Sequence, residues 1–334
     1  MQDGSGYALW TPVLRSSHLE RLAPVPGLRL LASGRHPDCD DALLAASPVP
    51  VVLGDLGELA ADLQARPPAV LEVTEPLWTA QWPDALALAD AVPHARLVTY
   101  AIEVLPPPQA PPADRLQAVV YGSQAAQAAY AVTYPGAGWV STVVEERRDR
   151  CGECFPAGLL SAPAAQELVF AAEFSERKAV DLLMAAWDEA RVPGWRLRML
   201  GWGPRTDQVV QWGQGRGDVE VVVRASRERV HDALRRAAAV VLPSRRVPGW
   251  REQIGLSIVE GLAHGCHVIA TDETGLADGL RSTGHTVLPA GDGDALTAAL
   301  ASALPLLPSD KELPGAQDDS RRRALDWLAS AVPA

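Results

Sequence analysis

From Gln166 onward the chain alternates short β-rich runs with amphipathic helical stretches, and this alternation leaves few folds open. Residues 167–171, 196–200, 219–223 and 239–243 read as strands. Between them, 178–190, 206–212 and 227–236 read as helices, the first with Val180, Leu183, Met184 and Trp187 on one face. Buried parallel strands joined by helices predict a doubly wound open sheet, whose ligands gather at the carboxyl ends of the strands. The first half alternates less cleanly, with strands expected at 49–53, 69–73, 96–101 and 116–121 and helices at 56–66, 82–91 and 123–134. The expectation is a domain over 1–155, a second over 164–310 and a C-terminal crossover helix within 318–334 that packs across both.

One stretch carries more chemistry than the rest. Arg251-Glu252-Gln253-Ile254-Gly255-Leu256-Ser257-Ile258-Val259-Glu260 runs through Gly261-Leu262-Ala263-His264-Gly265 into the apolar strand 267–270. Two carboxylates, Glu252 and Glu260, stand eight residues apart, and a Gly255-Leu256 step falls where a helix should begin. Free backbone N–H groups and the positive helix end would face a ligand there, which makes a seat for a diphosphate. In a continuous helix the two glutamates would lie ~12 Å apart, a span that reaches from a ribose to a sugar across a diphosphate. An isolated pair at this spacing is more simply two surface glutamates on an amphipathic helix, so the neighbouring motifs decide the matter.

Composition narrows the classes further. At 334 residues with a formal charge of −11, the chain is long enough for two cores and too acidic for nonspecific nucleic-acid binding or tight docking on anionic lipid. No apolar run reaches the length of a bilayer span and Met1-Gln2-Asp3-Gly4 opens no signal peptide, so a cytoplasmic location is expected. Cys39, Cys151, Cys154 and Cys266 make no disulfide framework. Cys151-Gly152-Glu153-Cys154 has the spacing of a redox or half-zinc site, but a zinc site needs two further ligands and there is no second cysteine pair, so a loop with two thiols is expected. Lys178 and Lys311 are the only lysines among 30 basic residues, which singles both out.

Over roughly 167–304 the chain resembles the donor-binding domain of the retaining family 4 (group 1) glycosyltransferases. The resemblance rests on Ala172-Glu173-Phe174-Ser175-Glu176-Arg177-Lys178-Ala179, Gly201-Trp202-Gly203-Pro204, Pro243-Ser244, Glu252 with Glu260, and Ala263-His264-Gly265, followed by Gly284 to Pro289 and Gly291-Asp292-Gly293-Asp294. It implies an α/β chain of the GT-B fold, two doubly wound Rossmann-like domains facing a cleft. It also implies that Glu260 binds ribose hydroxyls, Glu252 contacts the donor sugar, Gly255 and Leu256 offer N–H groups to the diphosphate, and Lys178 neutralises the leaving group. Gly201 and Gly203 would allow close backbone approach to the ligand.

Two departures stand out. The family's phosphate-binding arginine falls on Glu173, which leaves Arg177, Arg245, Arg246 or Arg251 to supply the cation, or Glu173 to read an unusual substrate, or donor binding to be lost. The first half lacks the family's opening strand and glycine-rich loop, of which Asp3-Gly4-Ser5-Gly6 before Tyr7-Ala8-Leu9-Trp10 is a remnant, and Glu103 stands where a histidine often lines the acceptor side. His264 and His267 flank the best motif, and packing or solvation explains each better than catalysis.

The resulting expectation is a metal-independent glycosyltransferase that moves a sugar from a nucleotide sugar to an acceptor hydroxyl, with retention. No other cofactor and no nucleic-acid partner are expected. The alternative is a sugar-nucleotide-binding or catalytically inactive relative. A nicotinamide-dependent oxidoreductase is disfavoured because Gly201-Trp202-Gly203-Pro204-Arg205-Thr206 lacks the third glycine of the dinucleotide fingerprint.

Overall fold

The computed structural model describes residues 6–14, 27–37, 39–47, 49–73, 82–101, 106, 115–145, 150–156 and 158–315, with 323, 324, 327, 328 and 330 near the end. The chain divides into two units, Met1–Val144 with Ser320–Ala334, and Glu145–Asp319. Residues 151–155 therefore belong to the second unit.

The first unit comprises β1 (Gly6–Thr11), β2 (Leu28–Ala32), α1 (Asp41–Ala45), β3 (Val51–Leu53), α2 (Leu56–Ala65), β4 (Pro68–Val73), α3 (Trp82–Ala91), β5 (Arg96–Ala101), β6 (Leu116–Tyr121), α4 (Gln124–Thr133) and β7 (Val140–Val143). Its seven strands are all parallel, in the order β3-β2-β1-β4-β5-β6-β7. This corrects the reading of the amino terminus, because β1 is a full strand in the interior of the sheet, between β2 and β4, with Tyr7 to Trp10 wholly buried. Burial on both faces removes the polar alternation by which an exposed strand is recognised. Helix α2 starts at a capping box in which Asp55 accepts from the Glu58 N–H and Glu58 from the Asp55 N–H. Near the C-terminus, Ala324 and Leu328 join the apolar cluster of this unit with Leu9, Leu30 and Val120.

The second unit contains β8 (Ser161–Pro163), β9 (Ala165–Ala171), α5 (Val180–Ala190), β10 (Arg196–Gly201), α6 (Thr206–Gly213), β11 (Val219–Val223) and α7 (Arg227–Arg236). It continues through β12 (Ala237–Leu242), α8 (Leu256–Ala263), β13 (His267–Thr271), α9 (Ala277–Ser282), β14 (Thr286–Leu288), α10 (Gly293–Ala303) and β15 (Asp310–Glu312). Six parallel strands run β11-β10-β9-β12-β13-β14, while β15 pairs antiparallel with β8. The chain winds outward from β9 to β11, then returns to β12 and winds the other way. The reversal lies between β9 and β12, where neighbouring helices diverge and a crevice opens beyond the carboxyl ends of the strands. Helix α8 lies close against β12, since a Cβ on Gly261 would fall 2.4 Å from Val240 Cγ1. Every residue of β12 is buried, which fits a strand covered on both faces.

Candidate functional site

The carboxyl ends of β9 and β10 lead directly into the crevice. Two glycines let the backbones approach, for a Cβ on Gly201 would lie 1.9 Å from the Ala172 carbonyl oxygen and one on Gly203 2.7 Å from that of Phe174. A cleft of about 550 Å³ opens here, bounded by Glu173, Arg177, Trp202, Arg224, Arg227 and Glu260, with Gly201 and Leu256 also on its wall. Five residues singled out in the sequence thus share one cavity: Glu173, Arg177, Gly201, Leu256 and Glu260.

Helix α8 presents its amino end to this edge. Gly255 precedes it with φ 83°, and no side chain caps the helix. A Cβ there would strike Leu242 Cδ2 at 2.7 Å, so glycine is required both for the turn and for the space. The open end offers N–H groups and the positive pole of the helix to an anion. One turn into α8, the buried Glu260 carboxylate pairs with Arg227 at 2.6 Å. Arg227 was not anticipated. Its signal was its place as the first residue of α7, just after the Ser226 cap, where the helix dipole disfavours a cation unless a carboxylate or ligand compensates.

A second polar cluster stands beside the cleft. The Lys178 ammonium donates to Glu252 Oε2, and the Ser244 hydroxyl donates to the same oxygen at 2.6 Å. Both charged side chains are largely buried, with relative exposures of 13% and 8%. The chain leaves Lys178 through Ala179, which is buried and left-handed at φ 52°, before entering α5. A non-glycine residue held in that region costs energy and is stabilised only by its surroundings, so the direction of Lys178 is fixed by packing. Trp250 covers both neighbouring cations, its ring 4.8 Å from the Arg177 guanidinium and 5.1 Å from the Lys178 ammonium.

Glu173 is paired with Arg177, which reaches its Oε2 with Nη2 at 2.7 Å and Nε at 2.8 Å. Partial burial works against ionisation of Glu173, but the nearby Ser175 hydroxyl and Arg177 guanidinium outweigh it and hold the carboxyl below the usual carboxylate range. The loop cations are engaged elsewhere. Arg245 pairs with Asp181 at 3.0 Å, and Arg246 and Arg251 both pair with the fully buried Glu273. Arg177 is therefore the nearest of the candidate cations to Glu173, while Arg224, stacked 4.4 Å over Trp202, and Arg227 add charge to the lining of the same cleft. Glu103 lies outside the described residues. His267 approaches Thr286 Oγ1 at 2.9 Å, away from the cleft residues, and His264 is buried at the end of α8.

Residues 165–305 match the family described as Glycosyl transferases group 1. No curated protein matches the chain in sequence. Among solved structures, a glycosyltransferase from Rickettsia africae ESF-5 superposes with TM-score 0.66 at 11% identity, covering 99% of this chain and 100% of its own. AviGT4, a glycosyltransferase involved in avilamycin A biosynthesis, gives 0.61 at 17% identity over 98% of each chain. The apo lipopolysaccharide outer core galactosyltransferase WaaB gives 0.59 at 13% identity over 89% of this chain and 90% of its own. The chain has the GT-B fold, and its second unit, with the crevice at the β9/β12 reversal, resembles the group 1 glycosyltransferases.

Proposed function

We propose that the protein transfers a sugar from a nucleotide-sugar donor to an acceptor hydroxyl with retention of configuration. The observation that carries this reading is the meeting, at one sheet reversal, of an uncapped helix end, a buried carboxylate and a row of cations. In this reading Glu260 accepts hydrogen bonds from the ribose hydroxyls, and the N–H groups of Gly255 and Leu256 hold the diphosphate. Arg177 and Lys178 neutralise charge that grows on the leaving group, and Glu252, held by Lys178 and Ser244, orients the sugar. The work of such a site is positioning and charge stabilisation, so it requires no protein nucleophile. The leaving phosphate takes the acceptor proton as the new glycosidic bond forms on the same face.

Titration calorimetry with UDP, GDP and ADP, paired with NMR of the product's anomeric centre, tests the reading. One nucleoside diphosphate should bind well above the others, and the linkage formed should keep the donor's configuration. Glu260→Ala should weaken that binding tenfold or more, because charged hydrogen bonds are each worth ~1.5–3 kcal/mol. Binding of none of the three by folded protein, or unchanged affinity in Glu260→Ala, would remove the nucleotide from this crevice. Binding without turnover of any sugar conjugate would favour a non-catalytic sugar-nucleotide-binding protein, the reading that Glu173 in place of the family's arginine also supports.

A further inference from the structure

Cys151 and Cys154 do not stand alone. Their two sulfurs meet His231 of α7 and His264 at the end of α8, with all four ligand atoms within 4.8 Å of one another. His231 Nδ1 lies 3.3 Å from Cys151 Sγ and 3.4 Å from Cys154 Sγ, and His264 Nε2 lies 3.3 Å from Cys154 Sγ. Bonds of ~2.0–2.1 Å to nitrogen and ~2.3 Å to sulfur at tetrahedral angles require N···S edges of roughly 3.5 Å. The cluster therefore has the size of one tetrahedral shell.

We propose that Cys151, Cys154, His231 and His264 bind a single zinc ion in a closed, structural Cys2His2 site. Three further features support it. His264 Nδ1 lies 2.7 Å from the Glu260 carbonyl oxygen; it donates there, which leaves Nε2 with a lone pair directed at the cluster, the outer-shell arrangement that fixes a ligand imidazole. The two cysteines sit on a tight turn in which the Cys154 and Phe155 N–H groups donate to the Cys151 carbonyl, and the Cys151 N–H donates to that of Ala263. An apolar shell of Phe155, Ala162 and Leu313 packs against the thiols, with the Phe155 ring edge-on to His264. Four protein ligands leave no open position for a substrate, so the ion's role is to tie rather than to catalyse. Two thiolates and two neutral imidazoles also balance the charge of a divalent ion.

What it ties follows from helical spacing. Arg227 and His231 are four residues apart on α7, and Glu260 and His264 four apart on α8, so each pair shares a face. The metal forms one rung between the helices and the Arg227–Glu260 ion pair the next, about one helical turn away. Zinc thus sets the helix spacing that places Glu260 at the cleft; this last step rests on the donor-site reading proposed above, whereas the ion itself does not.

Metal analysis of the reduced, full-length protein, reloaded with Zn2+ and dialysed against a mild chelator, should find about one zinc per chain. Co2+ in its place should give thiolate-to-metal charge transfer and the strong visible bands of tetrahedral coordination. Cys154→Ser should lower zinc affinity by at least ~10-fold, and Cys39→Ser, at a buried thiol far from the cluster in sequence, should leave it intact. Wild-type protein that retains no zinc, a Co2+ spectrum without thiolate bands, or a Cys151–Cys154 disulfide in protein prepared from reducing medium would each overturn the site. If Cys154→Ser does not fold, the wild-type stoichiometry and spectrum decide alone. The positional role needs one more measurement: zinc removal should weaken nucleoside diphosphate binding and leave the far-ultraviolet circular dichroism largely unchanged. Zinc at full stoichiometry in a protein that binds no nucleotide would uphold the metal site and reject the transferase reading instead.

Discussion

The two ends of the second sheet place the same chemistry in different surroundings. In the amino-terminal half of the strands, Arg198 of β10 reaches Glu167 of β9 at 3.2 Å and Glu220 of β11 at 3.2 Å, lacing three strands together. At the carboxyl end, Arg177, Lys178 and Arg227 are also paired with glutamates, yet those pairs line or adjoin a cleft. The first set is held between neighbouring strands, with Glu220 also reaching Arg229 and partly meeting water, whereas the second borders a cavity where, on the proposed reading, a ligand's oxygens would take the place of its carboxylates. Charge pairing by itself therefore does not mark a functional site. What sets the second set apart is the cavity and the uncapped helix end beside it.

Three substitutions can break or sharpen that contrast. Arg198→Ala should cost stability near the low end of the ~3–5 kcal/mol seen when one partner of a buried ion pair is removed, because Glu220 is 31% exposed and can turn to water. Nucleotide affinity at temperatures where the variant is folded should be unaffected. A loss of affinity without loss of stability in a denaturant titration would place Arg198 in the functional set.

Lys178→Ala should do the reverse, lowering turnover ~10²-fold with a smaller change in donor affinity, since leaving-group charge grows in the transition state. Steady-state kinetics that show native turnover would return Lys178 to a structural role with Glu252. The smallest effect is expected at Glu173. With side chains 38% exposed on both partners, its pair with Arg177 is worth no more than ~1 kcal/mol to the fold, and Glu173→Arg should tighten nucleoside diphosphate binding or leave it unchanged. Abolished turnover with preserved nucleotide affinity would instead show Glu173 reading part of the substrate, and would move this pair from the exchangeable class to the recognition of a particular sugar.

Legibility in the sequence followed from how local each signal was. The strands of the second unit stood out because parallel strands buried on both faces leave short, near-continuous apolar runs between helical periods. In the first unit β1, β2 and the short β7 were missed. The apolar part of β1 is only Tyr7-Ala8-Leu9-Trp10 between Gly6 and Thr11, and the run of β2 is interrupted by the buried Arg29 held by Asp62 of α2, so neither stands out beside the longer runs of the second unit. The GT-B fold followed from motif order, and Glu252, Gly255 and Glu260 were visible together because they lie within nine residues.

The partners of these residues were hidden by distance along the chain. Arg227 is 33 residues from Glu260, and His231 and His264 are 77 and 110 residues from Cys154. No spacing rule links two histidines on different helices to a cysteine pair before the first strand of the sheet. The two lysines show the same limit. Both were conspicuous as exceptions to an arginine-rich composition, but only the structure separates Lys178 beside the cleft from Lys311. The latter is buried and donates to the carbonyls of Leu234 and Ala237 at the end of α7.

In the proposed donor reading, the cleft's cations already hold carboxylates, so the site would act as an ion exchanger rather than as a bare positive pocket. A small anion such as inorganic phosphate must displace those glutamates and offers little beyond its charge in return. A nucleotide sugar supplies hydroxyls for the freed carboxylates as well as oxygens for the cations, so every displaced group finds a new partner. Self-neutralisation would thereby select against the abundant simple anions of a cell, and affinity for the true donor should vary with ionic strength less than the number of cations around it suggests.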